Sequence, residues 1–83
     1  MYSIQFTKEA EKDLQKIDKR YSKAITKSLE KLQQNPQIGF PLKGRLKGYW
    51  KIRFSRYRIV YKIVRNKLLV IVVAVDHRRK VYK

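Results

Sequence analysis

Lys51, Arg53, Arg58 and Lys62 stand at alternate positions on either side of Ser55-Arg56, inside a stretch, 49 to 64, that interleaves cationic with bulky apolar side chains. That period is the mark of a β-hairpin with one buried face. A two-residue loop at Ser55-Arg56 would pair Phe54 with Tyr57, Arg53 with Arg58, Ile52 with Ile59, Lys51 with Val60 and Trp50 with Tyr61. Trp50, Ile52, Phe54, Tyr57, Ile59, Tyr61 and Ile63 then share one face, and Lys51, Arg53, Arg58 and Lys62 the other. Two arginines directly opposite repel by up to about 1 kcal/mol. A phosphate between them reverses the sign, because guanidinium forks two of its oxygens. The plain alternative is a solvated basic face, the default use of such residues.

The flanking elements must position that hairpin. Tyr2, Ile4 and Phe6 alternate with Ser3 and Gln5 and predict a short first strand. Thr7 can cap a helix over about 8 to 17, with Glu9 at its positive end and Ala10, Leu14 and Ile17 as its apolar stripe. Asp18 can cap a second helix carrying Tyr21, Ile25, Leu29 and Leu32, ended by Asn35-Pro36. So short a connection predicts an antiparallel αα-hairpin, with the apolar side of the sheet as its partner. Gly39-Phe40-Pro41 and Leu42-Lys43-Gly44 mark 36 to 48 as irregular. This loop adds Lys43, Arg45 and Lys47 as candidate binding residues beside the sheet. Asn66 is the natural left-handed residue of the next turn. Leu68 to Val75, unbroken and apolar, predicts a central strand covered on both faces.

Composition narrows the function classes. The 83 residues suit one domain over 1–83, without cysteine and with one histidine, His77, so no metal site and no cofactor is expected. Lys and Arg number 22 against 6 Asp and Glu, a net charge of +16 that points to a polyanionic partner, nucleic acid first. The longest apolar run falls well short of the roughly 20 residues of a membrane helix. With no apolar leader, the expectation is a soluble, cytoplasmic protein.

Three blocks in order, Leu46-Lys47-Gly48-Tyr49-Trp50-Lys51-Ile52-Arg53, Tyr57-Arg58-Ile59-Val60-Tyr61 and Val75-Asp76-His77-Arg78-Arg79-Lys80-Val81-Tyr82, resemble the RelE/ParE superfamily of toxins from type II toxin–antitoxin systems. The resemblance spans essentially the whole chain. It implies an α+β, RelE-like microbial RNase fold: a short N-terminal strand, an αα-hairpin, a three-stranded antiparallel meander and a basic C-terminal tail. It leans to the RelE branch, whose members cleave mRNA in the ribosomal A site, over the ParE branch, which poisons DNA gyrase. By motif match it implies Lys51, Arg53, Arg58, Arg78 and Tyr82 as catalytic residues, and as partners a small RelB-like antitoxin, the ribosome and mRNA. The hairpin turn and the stretch from Arg78 to Tyr82 are shorter than in the best-known pattern. Arginine also replaces lysine at position 53, which keeps the charge but carries protons poorly.

Metal-free cleavage by such residues runs through attack of the 2′-hydroxyl on the adjacent phosphorus, giving a 2′,3′-cyclic phosphate and a 5′-hydroxyl. Arg53 and Arg58 suit the clamp on the transition state. Lys51 is the better proton acceptor, since crowding by Arg53, Arg58 and Lys62 disfavours its charged form. Arg78 could neutralise the leaving oxygen, with His77 as a competing donor. Tyr82 could stack on a base, and Lys43, Arg45, Lys47, Lys62, Arg79 and Lys80 could hold RNA. Each has a structural counterpart: exposed filler for His77, an anchor on the sheet for Tyr82, and core for Trp50 and Tyr61. Two other functions remain open, a gyrase-directed toxin and an RNA-binding module without catalysis.

Overall fold

The computed structural model describes residues 1–77. In chain order these form β1 (Ser3–Phe6), α1 (Lys8–Gln15), α2 (Ser22–Gln34), β2 (Phe40–Pro41), β3 (Tyr49–Phe54), β4 (Tyr57–Val64) and β5 (Leu69–His77), with short 3-10 turns between them. Thr7 caps α1, its hydroxyl accepting from the Ala10 amide at 3.2 Å, with Glu9 and Glu11 in the first turn. The helix stops at Gln15, two residues before the end of the apolar stripe. Ile17 still packs on the core because a tighter turn, with its amide on the Leu14 carbonyl at 3.2 Å, carries it round. Asp18 caps the 3-10 turn Lys19–Tyr21 and not α2 itself, accepting from the Arg20 amide at 3.0 Å. Asn35, held extended before Pro36, ends α2.

The sheet has five strands in the order β1-β5-β4-β3-β2, with β1 parallel to β5 and every other pair antiparallel. The expected meander is β3-β4-β5, and the β3–β4 register matches the predicted one pair for pair. Three expectations change. The 36–48 segment holds a strand, β2, at the sheet edge, where a proline is tolerated because it lacks only a ladder donor that faces outward. The left-handed residue before β5 is Leu68 (φ 48°, ψ 49°) and not Asn66, which sits in a 3-10 turn. β5 lies inside the sheet between β1 and β4, yet both helices pack on one face only. The buried cluster of Ala10, Ile25, Leu32, Phe54, Ile59, Tyr61, Val70, Val72 and Val75 all belongs to that side. The unbroken apolar run therefore does not mark two covering layers: Val70, Val72 and Val75 fill the helical side, while Leu69, Ile71 and Val73 stay half-buried.

Tyr61, fully buried in β4, fastens the 36–39 turn to the sheet. Its hydroxyl donates to the Pro36 carbonyl at 2.6 Å, and the Gly39 backbone bonds to it. A Cβ at Gly39 would collide with this hydroxyl and with the Lys51 carbonyl, so only glycine allows the close approach. Burial pushes the Tyr61 hydroxyl up to about 12 from 10.0, against a smaller lowering by the Gly39 bond. The folded state thus holds the proton more tightly than the unfolded chain. Its contribution is complete below pH 10 and is lost as pH climbs towards about 12. Tyr61→Phe should cost about 1 kcal/mol at neutral pH through the lost hydrogen bond. In urea unfolding, the gap between wild type and variant should narrow over that alkaline interval.

Candidate nucleic-acid interface

Opposite the helices, the register lays the sheet's other face out in rows. Arg53, Arg58 and Asp76 form one row across β3, β4 and β5. Phe40, Lys51, Val60 and Ala74 form the next, from β2 to β5. Tyr49, Lys62 and Ile71 form a third. Rows lie roughly 7 Å apart along the strands and neighbours about 5 Å apart across them, the scale on which one phosphate can bridge two cations. Lys51, Arg53 and Arg58 are thus brought together as expected, with Arg53 exposed and the other two half-buried. Val60, 3% exposed, is the apolar floor between them.

Lys51 and Arg53 also line an open hollow of about 470 Å³ with Phe40, Pro41, Leu42 and Lys43. Lys43 therefore joins the group. Lys62 keeps to the same face but places its ammonium 5.9 Å from the centre of the Tyr49 ring, a cation–π contact. Arg45 and Lys47 stand exposed in and just after the turn Gly44–Leu46 and do not line the hollow. Arg78, Arg79, Lys80 and Tyr82 lie outside the described residues.

A bulge in β5 decides what the strand's end contributes. Tyr61 pairs with Val72 but Val60 with Ala74, so Val73 is the extra residue. A shift of one residue exchanges faces. Past the bulge, Val75 enters the core, Asp76 falls opposite Arg58 on the cationic face, and His77 turns to the helix side. There its ring meets Tyr57 edge-on at 5.5 Å, and the two line a hollow with Asp13, Lys16, Ile17, Val75 and Asp76. The structure does not bring His77 to Lys51, Arg53 and Arg58. Asp76, 7% exposed, brings a carboxylate into the arginine row, which offsets the Arg53–Arg58 repulsion at a distance set by the ladder.

The charge separation goes beyond these few residues. All six acids lie at or before Glu30 or at Asp76, so β3 and β4 carry cations and no carboxylate, and the 36–48 segment beside them holds none either. Sequence reasoning missed Asp76, Phe40 and Tyr49. Tyr49 follows from extending the alternation two residues back from Lys51. Asp76 required the bulge, which no residue in a uniformly apolar run announces. Among the described residues, no three or more histidine or acidic side chains gather to hold a metal ion. Nor is any helix among them long and apolar enough to cross a membrane.

A helical layer on one side of a mixed sheet and cations on the other define a small basic α+β protein with one face left open for an anionic partner. The family model described as ParE toxin of type II toxin–antitoxin system, parDE, matches residues 4–82, and the chain belongs to that toxin family. Its relatives carry names from the RelE branch. Toxin RelG of Mycobacterium tuberculosis is 32% identical, over 99% of this chain and 97% of its own length. The toxin–antitoxin complex RelBE2 of the same organism contains a chain with TM-score 0.85 and 33% identity, covering 93% of this chain and 98% of that one. The isolated Escherichia coli RelE toxin gives TM-score 0.81 at 28% identity, covering 93% and 84% respectively.

The bulge is held from α1. Thr7 donates its hydroxyl to the Val73 carbonyl at 3.2 Å, and Asp13 accepts from the Val75 amide at 3.0 Å. Asp13→Ala leaves that amide without its carboxylate and should cost about 1.5–3 kcal/mol. Hydrogen exchange at Val75 and Asp76 should accelerate more than in the β3–β4 hairpin. Equal acceleration everywhere would mean that the clamp acts on the whole fold and not on the bulge.

Proposed function

We propose that this toxin is a metal-free endoribonuclease that cleaves mRNA on the ribosome, in the cytoplasm, and that a small RelB-like antitoxin neutralises it. The observation that carries the reading is the shared face of Lys51, Arg53 and Arg58, three cations in one ladder register over a packed core. The names of its RelE-type relatives support it. In this reading Lys51 takes the proton of the 2′-hydroxyl as that oxygen attacks the adjacent phosphorus. Arg53 and Arg58 fork the phosphate oxygens as negative charge builds in the transition state. The bond to the 5′-oxygen then breaks, leaving a 2′,3′-cyclic phosphate on one side. The departing oxygen takes a proton from solvent; Arg78, the sequence's candidate for neutralising it, lies outside the described residues.

No imidazole stands on this face among the described residues, and arginine does not give up protons. Catalysis on free RNA should therefore be slow, and positioning of the message by the ribosome supplies what the side chains lack. Docking on ribosomal RNA by so cationic a body should weaken steeply with salt. The antitoxin reading draws on the toxin–antitoxin complex among the structural relatives. An acidic or amphipathic segment would suit the cationic face.

Lys51→Ala should lower cleavage of ribosome-bound mRNA about a hundredfold or more. Arg58→Ala should lower it by a similar factor. Each should relieve growth arrest with the thermal melt still cooperative, while Arg58→Lys, which keeps charge but loses the fork, should recover only part of the activity. Undiminished toxicity of the alanine variants would overturn the nuclease mechanism. The ParE name of the family model favours one second reading, a toxin directed at DNA gyrase. Pulse labelling separates the two: the nuclease stops protein synthesis first, the gyrase poison damages DNA first.

A further inference from the structure

Phe40 is 67% exposed, whereas Phe54 is buried at 7% and Phe6 packs against the core. Its place in the ladder, directly opposite Lys51, sets the ring on the cationic face and at the edge of the hollow that Lys43, Lys51 and Arg53 share. We propose that Phe40 is a stacking platform for one unpaired base of single-stranded RNA, with Lys43, Lys51 and Arg53 holding the phosphates on either side of that nucleotide. This deepens the ribonuclease reading and rests on it.

Three features carry the assignment. The lining divides as a nucleotide does: Phe40, Pro41 and Leu42 offer apolar surface to a base, the three cations face its anionic linkers, and no carboxylate is present. Next, the ring's segment is fixed on both sides. Gly39 sits against the Lys51 carbonyl and the Tyr61 hydroxyl, and the Leu42 amide donates to the Tyr49 carbonyl at 2.8 Å. A platform held in place loses little freedom when a base lands on it. Finally, aromatic rings accept the flat face of any base, as a site that tracks a message of varied sequence requires. An acidic protein segment would also meet the cations, but it needs only apolar bulk at position 40, which leucine supplies as well as phenylalanine.

That difference gives the test. Fluorescence anisotropy is measured with a labelled short 2′-O-methyl oligoadenylate, which cannot be cleaved because its attacking hydroxyl is blocked, and with an abasic oligomer of the same length. Wild type should bind the oligoadenylate about tenfold more tightly than the abasic oligomer, the size of one base–aromatic stack. Phe40→Leu should abolish that preference and leave abasic binding and the thermal melt unchanged. Phe40→Trp should keep the preference, and its added fluorescence should be quenched by the oligoadenylate but not by the abasic oligomer. Retention of the preference in Phe40→Leu, or no quenching in Phe40→Trp, overturns the platform. If wild type binds both oligomers equally and with steep salt dependence, the platform falls while the phosphate grip stands. If it binds neither, both fall. Loss of acidic-peptide binding in Phe40→Ser, which removes the apolar bulk, with the oligoadenylate preference unchanged, would assign the side chain to a protein partner and overturn the proposal.

Discussion

What the end of β5 adds to the cationic face depends on one displaced residue, Val73, and on two side chains, the helix cap Thr7 and Asp13 of α1, that tolerate it. A bulge leaves ladder groups without their strand partners, and a buried carbonyl or amide left so is costly. Here the Val73 carbonyl receives the Thr7 hydroxyl and the Val75 amide meets the Asp13 carboxylate. The same Thr7 oxygen caps α1. The start of the helix and the kink in the strand are thus one hydrogen-bonded unit. Remove the bulge, and Val75 would face outward while Asp76 entered the core without a counter-charge.

The consequence is electrostatic. A face built from Lys51, Arg53, Arg58 and Lys62 repels itself, and with the acids confined elsewhere the sheet has few means to relieve it. Two are visible. Asp76 is delivered to the arginine row by the bulge, and Tyr49 offers its ring to Lys62. The exposed Arg53 keeps its hydration, which lowers the cost further. What remains is a surface that an incoming phosphate stabilises, since it replaces repulsion between cations with shared attraction. The core beneath pays for this arrangement: Ile59 and Tyr61, both at 0% exposure, alternate in β4 with Arg58 and Lys62.

How far the sequence could be read follows from parity. Positions 49 to 64 alternate in chemistry, so the β3–β4 register and the division of its faces were legible from residue type alone. The helical stripes were legible for the same reason at their own period, and Ile25 and Leu32 are buried as expected. Leu68 to Val75 carries no alternation, so nothing in it marks where one residue is skipped. The faces of Asp76 and His77 were lost with that mark, and with them the exclusion of His77 from the cationic side. β2 was missed because two residues, one of them proline, make no pattern. Leu68 took the left-handed position expected of Asn66 because β5 must begin at Leu69, and the turn's geometry there outweighed local preference.

The separation of faces also bears on why one fold carries both ParE and RelE names. The residues that make this sheet pack, among them Ile59, Val70, Val72 and Val75, look only towards the helices. Those that could meet a partner stand on the far side, where substitution changes charge and shape without opening a cavity. Such a scaffold can exchange one target for another by changing alternate residues in three strands while its core stays as it is. The family match over residues 4–82 therefore speaks for the scaffold, and the chemistry must be argued from the residues on the open face. There this chain offers Lys51, Arg53 and Arg58 in adjoining rows beside an exposed ring at Phe40, an arrangement suited to a flat base on a phosphate backbone.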